Sequence, residues 1–275
     1  MKATQIGFDT IKSGTNEIVI TGGQESMTNV PFIMGRGAPK YGGDTIKDLI
    51  NHDGLTDAYT GRDVKTLSSS QNRQKLTPKI GMHMGTCAEQ IIKRDLVSRE
   101  EQDDYAQMSY NRARAAWENG VFKTEVDEIN IKTVNMARDE EFENCPADIP
   151  SLRPLFVADP STGSVTAGNT SKLADGACAL LLASGEAINM GNLNTPLAEI
   201  LGHADAAMES FDFTTAVVKA IEKLLQKQKL KPTDIAQWEI NEAFASVVVA
   251  CEKAFDIERE QMNPYGGAIS LGLGF

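Results

Sequence analysis

The last third of the chain alternates two kinds of hydrophobic pattern, and this alternation limits the fold more than any other feature. "GACALLLAS" (176–184) is a short apolar run bounded by turn-forming residues, as a strand would be. "FTTAVVKAIEKLLQKQ" (213–228) puts Val217, Val218, Ile221, Leu224 and Leu225 on one helical stripe, with Thr214 able to cap it. "QWEI" (237–240) reads as a short strand, "EAFASVVVACEKAF" (242–255) as a helix and "GGAISLG" (266–272) as a closing strand. Strand, helix, strand, helix, strand predicts an α/β layered fold.

The earlier sequence adds to this pattern. Residues 2–13 predict a helix with Ala3, Ile6, Gly7 and Ile11 on one face, and Gly14 as its stop. "EIVITGG" (17–23) predicts a buried strand. Ser98 and Glu101 form a Ser-x-x-Glu capping box before a helix that carries Tyr105, Met108, Ala113 and Ala116, and Gly120 follows its last turn. "TEVDEINIKTV" (124–134) alternates like a strand, and residues 138–163 read as loop. Residues 60–79 are polar, basic and serine-rich without a sustained period, which predicts a mobile excursion.

Composition narrows the function classes. At 275 residues with 41% hydrophobic content, the chain can bury a substantial core. A net charge of −11 argues against general binding to nucleic acid or anionic membranes. The longest apolar run, 177–183, is far short of the roughly 20 residues of a transmembrane helix. The first residues have neither the apolar core of a secretory signal nor the basic, acid-poor character of a mitochondrial presequence. Cys87, Cys145, Cys178 and Cys251 are scattered, which suggests neither a disulfide framework nor a zinc site.

A few residues could carry chemistry. Asn241 lies where a strand gives way to a helix, the place where α/β proteins open their ligand crevices. Its amide could hold a water or donate to a developing oxyanion, or it could simply cap the helix. His83 lies between Met82 and Met84, a surface suited to a thioether or acyl chain, although the default reading is a buried histidine bonded to backbone. Ser171 sits in a turn of small polar residues and reads as a turn former or a ligand contact.

Several stretches together resemble the thiolase family, and specifically its acetyl-CoA acetyltransferases. These are the opening "MKATQIGFDTIKSGTNEIVITGGQESMTNVPF" with its Gly-Gly-x-Glu-x-Met motif at 22–27, "HMGTCAE" (83–89), "TGSVTAGNTSKLADGA" (162–177), "WEINEAFA" (238–245) and "NPYGGAISLG" (263–272). They occur in family order across nearly the whole chain. "APKYGGDTIKDLINHDGLTDAY" is most similar to the mitochondrial, potassium-activated branch.

The resemblance implies a thiolase-like layered αβαβα fold, incomplete at both ends. Residues 1–33 would be the remnant of the first half, 34–174 the CoA-binding loop domain with an unusual insert at 60–79, and 175–275 the second half. It implies condensation of two acetyl-CoA to acetoacetyl-CoA, or the reverse thiolysis, through an acyl-cysteine, with two oxyanion holes for the thioester oxygens. Asn241 matches the residue that holds an oxyanion-hole water. Ala243 and Phe244 match pocket residues, His83 and Met84 the residues near the acyl and pantetheine end of CoA, and Ser171 a CoA contact. Tyr110, Ala167, Gly168, Thr170 and Ile269 fall where the potassium-binding branch surrounds its ion.

The same alignment implies departures. The family's nucleophilic cysteine would stand just ahead of Met1, Leu273 takes the place of its Gly-His-Pro histidine, and the block with the second cysteine would follow Phe275. Near residues 144–151 the basic residue that the branch uses beside CoA is missing. The insert and the two ends are together expected to reflect an incomplete or mis-spliced gene sequence. The alternative is a catalytically dead thiolase-like chain that binds CoA or an intact homologue. In either case these 275 residues alone are expected to show no thiolysis and poor solubility. The family further implies a homo-oligomer, no covalent cofactor, and a mitochondrial location with a cytoplasmic alternative.

Overall fold

The computed structural model describes residues 1–36, 41, 46–57, 81–95, 97–131, 134–191 and 195–273. Helix α1 (Lys2–Lys12) lies on strand β1 (Ile18–Ser26). Their contact is close at Gly7, where an added Cβ would stand 2.7 Å from Thr21 Cγ2. Gly7 is buried, but Ile6 is 56% exposed and Ala3 is also exposed, so the packed face is rotated from the expected one. Strand β6 (Asp175–Ala183) runs antiparallel to β1, from Ile18 opposite Ala183 to Ser26 opposite Asp175. This pairing joins the start of the sequence to a strand more than 150 positions later. The strand expected at 17–23 forms, but not as a buried one: Ile20 and its cross-strand partner Leu181 face outward, 76% and 59% exposed, and only Thr21 of β1 is buried.

Two small antiparallel pairs complete the described strands: β2 (Phe32–Ile33) with β3 (Lys47–Asp48), and β4 (Ile129–Ile131) with β5 (Val134–Met136). The single strand expected over 124–134 is therefore a hairpin that begins five residues later. The insert expected at 60–79 lies outside the described residues.

The core is helical. Helix α2 (Met84–Asp95) buries Cys87, Ala88, Ile91 and Ile92. Helix α3 (Arg99–Glu118) opens on the expected capping box: the Ser98 side chain accepts from Glu101 N, and the Glu101 carboxylate accepts from Ser98 N. Such a cap stabilises a helix by about 1 kcal/mol. Gly120, with φ of 71°, follows it in the left-handed region. After α4 (Gly185–Asn189) and α5 (Ala216–Gln228), helix α6 (Ala245–Phe255) crosses α3, and the short α7 (Ala268–Leu271) closes the cluster. Tyr105, Ala106, Tyr110 and Ala113 from α3 meet Val248, Val249, Met262 and Ile269 in one buried cluster. Each fully buried aliphatic side chain of this kind contributes about 1.5–3 kcal/mol by leaving water.

Three local expectations are corrected. Thr214 does not cap α5: the turn before it is a 3₁₀ segment, Ser210–Thr215, and the Thr214 hydroxyl is buried without a partner among the described residues. "QWEI" is extended but makes only an isolated parallel bridge, Trp238 to Met262. "GGAISLG" is not a strand. Its centre is the turn of helix α7, closed by Ser270 N and Leu271 N donating to Gly267 O. Gly272, with φ of +91°, ends it in a conformation open to glycine.

Candidate functional site

Three distant sequence segments are stitched together by backbone bonds. Ser171 N donates to Ala243 O at 3.2 Å, and Ala245 N donates to Asn169 O at 2.9 Å. Lys172 N donates to Ala268 O, and Leu273 N to Lys172 O. The loop 166–173 thus lies between the Asn-Glu-Ala-Phe segment at the start of α6 and the glycine-rich segment around α7. Asn241, Ala243, Phe244, Ser171, Thr170, Ala167 and Leu273, singled out far apart in sequence, come together on these stitched segments.

Glu242 is the pin beneath this junction. It is fully buried, and four donors converge on its carboxylate: Tyr105 Oη at 2.7 Å, Ser109 Oγ at 2.7 Å, Ile269 N at 3.0 Å and Asn263 Nδ2 at 3.2 Å. Asn263 is itself buried with φ of 42°. Its Oδ1 accepts from Ile240 N at 2.7 Å, and its Nδ2 also donates to Ile240 O and Tyr105 Oη, both at 2.8 Å. Burial and the facing Glu242 charge push the Tyr105 phenol far above its ordinary value. A Cβ at Gly267 would fall 2.5 Å from the Glu242 carboxyl carbon, so glycine there lets the backbone close over the carboxylate.

Above this pin is a cleft of about 310 Å³ lined by Glu239, Ile240, Asn241, Asn263, Gly266 to Ala268, Leu271 and Gly272. Asn241 is exposed on it. The residue at the N-cap of α6 is Phe244, with no side-chain bond, so Asn241 does not cap that helix. Its amide faces the cleft with no hydrogen-bond partner inside the chain among the described residues, free to hold a water or a ligand oxygen. Ile240 and Asn263, which Glu242 and its partners lock, form the floor of this cleft.

His83 and Met84 stand apart from the cleft, at the start of α2. The His83 ring stacks on Phe156, with centroids 4.7 Å apart and planes 20° from parallel. Its Nδ1 accepts from Gly85 N at 3.0 Å, which leaves the proton of the neutral ring on Nε2. Burial lowers its pKa. Met84 packs on the core cluster. The same helix reaches the loop through Glu89, whose buried carboxylate accepts from Ser164 N and Val165 N, both at 2.8 Å. Phe156 was not picked out in the sequence, because an aromatic residue in a proline-rich loop has no period to mark it.

The residues expected around potassium have another occupant. Lys172 Nζ donates to Ala167 O and, at 3.2 Å, to Thr170 O. It also lies 5.7 Å from the centroid of the buried Tyr110 ring. These carbonyls and this ring belong to the set named for the ion, so potassium does not fit there while the lysine is in place. Gly168 and Ile269 are buried beside them.

None of the four cysteines lines the Asn241 cleft. Burial pushes Cys87 up to about 11 and Cys251 up to about 12, and raises Cys145 as well. Cys178 is exposed on β6 opposite Gly23. Leu273 brings only an apolar side chain to the position where the resemblance expected a histidine.

Known proteins were compared with this arrangement. The family described as "Thiolase, N-terminal domain" matches residues 1–75 and 62–186, and "Thiolase, C-terminal domain" matches residues 194–275. The chain is 41% identical to acetyl-CoA acetyltransferase B, mitochondrial, of Xenopus laevis, over 99% of its own length and 61% of that protein. It is 40% identical to the human mitochondrial acetyl-CoA acetyltransferase, covering 99% of its own length and 60% of the relative. It superposes on Acat5 thiolase of Ascaris suum in complex with coenzyme A with a TM-score of 0.87 at 36% identity, covering 99% of this chain and 65% of that one. The α/β thiolase-like fold expected from the sequence is therefore the observed one, and the chain spans about three-fifths of the length of these curated relatives. With both domain families matched in order along nearly all of its residues, this chain belongs to the thiolase family.

Proposed function

We propose that the protein transfers acetyl groups between CoA thioesters, as an acetyl-CoA C-acetyltransferase, with these residues forming the thioester-binding wall of the site. The observation that carries this reading is the cleft. Asn241 stands exposed on it, in a chain about 40% identical to proteins named acetyl-CoA acetyltransferase. When a nucleophile adds to a thioester, the carbonyl oxygen gains negative charge. A fixed amide or the water that it holds stabilises that charge without reorganising.

In this reading Asn241 is the oxyanion-side donor, and Ala243 and Phe244 shape the wall beside it. His83 and Met84, with Phe156, form the apolar seat for the pantetheine arm, and Ser171 contacts CoA. The antiparallel β1–β6 pair supports a division into 1–33, 34–174 and 175–275, because it joins the first part to the last and leaves the middle part as the connection. The names of the relatives support a mitochondrial location, and family practice a homo-oligomer. Among the described residues, no helix is long and apolar enough to cross a membrane.

A second reading is favoured by the cysteines. Three of the four thiols are pushed upward, and none lines the cleft, so the chain binds CoA thioesters without forming an acyl-enzyme on its own cysteines. One experiment separates the readings. The purified chain is given acetoacetyl-CoA and CoA, acetyl-CoA is quantified, and CoA binding is measured in parallel by calorimetry. Turnover that drops by about 10²–10³ with Asn241→Ala supports acetyl transfer. Binding without turnover supports the second reading. Absence of both refutes the two together.

A further inference from the structure

We infer that the Lys172 ammonium is a resident cation of the site, tethered by its own side chain, and that the loop it holds needs no free monovalent ion. The loop 166–173 joins the Asn-Glu-Ala-Phe segment to the α7 segment, and its Ala167 and Thr170 carbonyl oxygens turn toward one point, the Lys172 ammonium. Converging carbonyls repel one another unless a positive group lies between them. Lys172 Nζ fills that role, bonded to Ala167 O and Thr170 O and lying over the face of Tyr110. An ammonium over an aromatic face is attracted by the ring quadrupole, more strongly where water is excluded.

Two further observations agree. Burial lowers the Lys172 pKa, and the charge of Glu141 offsets part of that by favouring the ammonium. The backbone of Lys172 is itself held at both ends, its N–H by Ala268 O and its C=O by Leu273 N, so the side chain starts from a fixed point. A potassium ion at these carbonyls would have to displace the ammonium or sit beside a like charge, and both are unfavourable in a half-buried place.

The Tyr110 hydroxyl is buried with no hydrogen-bond partner among the described residues. Truncating the lysine leaves the Ala167 and Thr170 carbonyls without their cation, beside the face of the Tyr110 ring. The inference rests on this loop and not on the acyl-transfer reading. Its test measures stability, so either can fail without the other.

The test is thermal unfolding of the 275-residue chain at matched ionic strength in potassium, ammonium or tetramethylammonium chloride. The wild type is expected to unfold at the same temperature in all three salts. Lys172→Ala is expected to unfold earlier in tetramethylammonium, which is too bulky for the position, and to regain about 2–4 °C in potassium or ammonium. A wild type stabilised by potassium over tetramethylammonium to that same extent overturns the inference. So does a Lys172→Ala chain that gains nothing from either small cation. Should that variant not fold, wild-type crystals soaked in thallium(I) decide. An anomalous peak at the Ala167 and Thr170 carbonyls overturns the inference, and its absence there with thallium bound elsewhere supports it.

Discussion

Replacing Glu242 by glutamine changes one atom and tests the whole pin beneath the cleft. Four donors point at the carboxylate, two at each oxygen: Tyr105 Oη and Asn263 Nδ2 at Oε1, Ser109 Oγ and Ile269 N at Oε2. A glutamine amide must put an NH₂ at one of these positions. At the Oε1 position it opposes Asn263 Nδ2, and the Tyr105 hydroxyl loses its acceptor. At the Oε2 position it opposes the Ile269 N–H, which cannot rotate away. Either way at least one buried donor is orphaned, at a cost of about 1–3 kcal/mol, and the charge-assisted share of the remaining bonds is lost. The expected loss is about 3 kcal/mol. For a chain of this size that lowers the unfolding midpoint by about 6–12 °C. Glu242→Ala, which adds a cavity and leaves several orphans, is expected to lose more. Exposed Glu258→Gln is the control, expected within about 0.5 kcal/mol of wild type. The measurement is thermal unfolding at pH 7 by circular dichroism. A Glu242→Gln midpoint within about 1 °C of wild type would show that the site does not hold an ionised carboxylate accepting four donors, and the reasoning fails.

Three further outcomes are expected. Gly85→Ala puts a Cβ 2.3 Å from the Phe156 ring, so it should destabilise the chain by about 1–3 kcal/mol, and Phe156→Leu should recover part of that loss in denaturant titration. The His83 pKa is depressed in the folded chain, so the unfolded chain binds the proton more readily and stability should fall as pH drops below the ordinary value of 6.5. His83→Gln should flatten that slope in unfolding experiments run from pH 7.5 to pH 5. A disulfide reagent at neutral pH should label Cys178 first, because Cys87 and Cys251 are buried with raised pKa values. Peptide mapping that finds Cys251 labelled in the native chain at the Cys178 rate would contradict this.

The readable parts of the sequence were those with a local cause. The α3 capping box needs only Ser98 and Glu101, three residues apart, and it formed as expected. The apolar stripe of α5 and the runs of β1 and β6 likewise carry their own period. The misread parts depend on distant partners. Over four residues a strand period and a helical period cannot be told apart, and "AISL" became a helical turn whose Ile269 amide is held by Glu242, 27 positions away. Asn241 could be placed on a crevice, but not the network below it, because Tyr105, Ser109, Glu242 and Asn263 show no common spacing. Lys172 was invisible for another reason: a lysine in a polar turn reads as solvated until its carbonyl partners are seen.

Asn263 has a consequence for how this protein can vary. Its φ of 42° admits glycine, asparagine and aspartate and penalises almost everything else. Its bonds admit only a side chain that accepts on one atom and donates on the other, since Ile240 N–H, Ile240 C=O and the Glu242 carboxylate must all be matched. Glycine meets the first demand and fails the second, aspartate would set a second carboxylate against Glu242, and glutamine fits the bonding but not the backbone. A saturation library at this position, selected for folding, should therefore return a vocabulary of one word, while the exposed Asn241, two residues from Ile240's other neighbour, tolerates many.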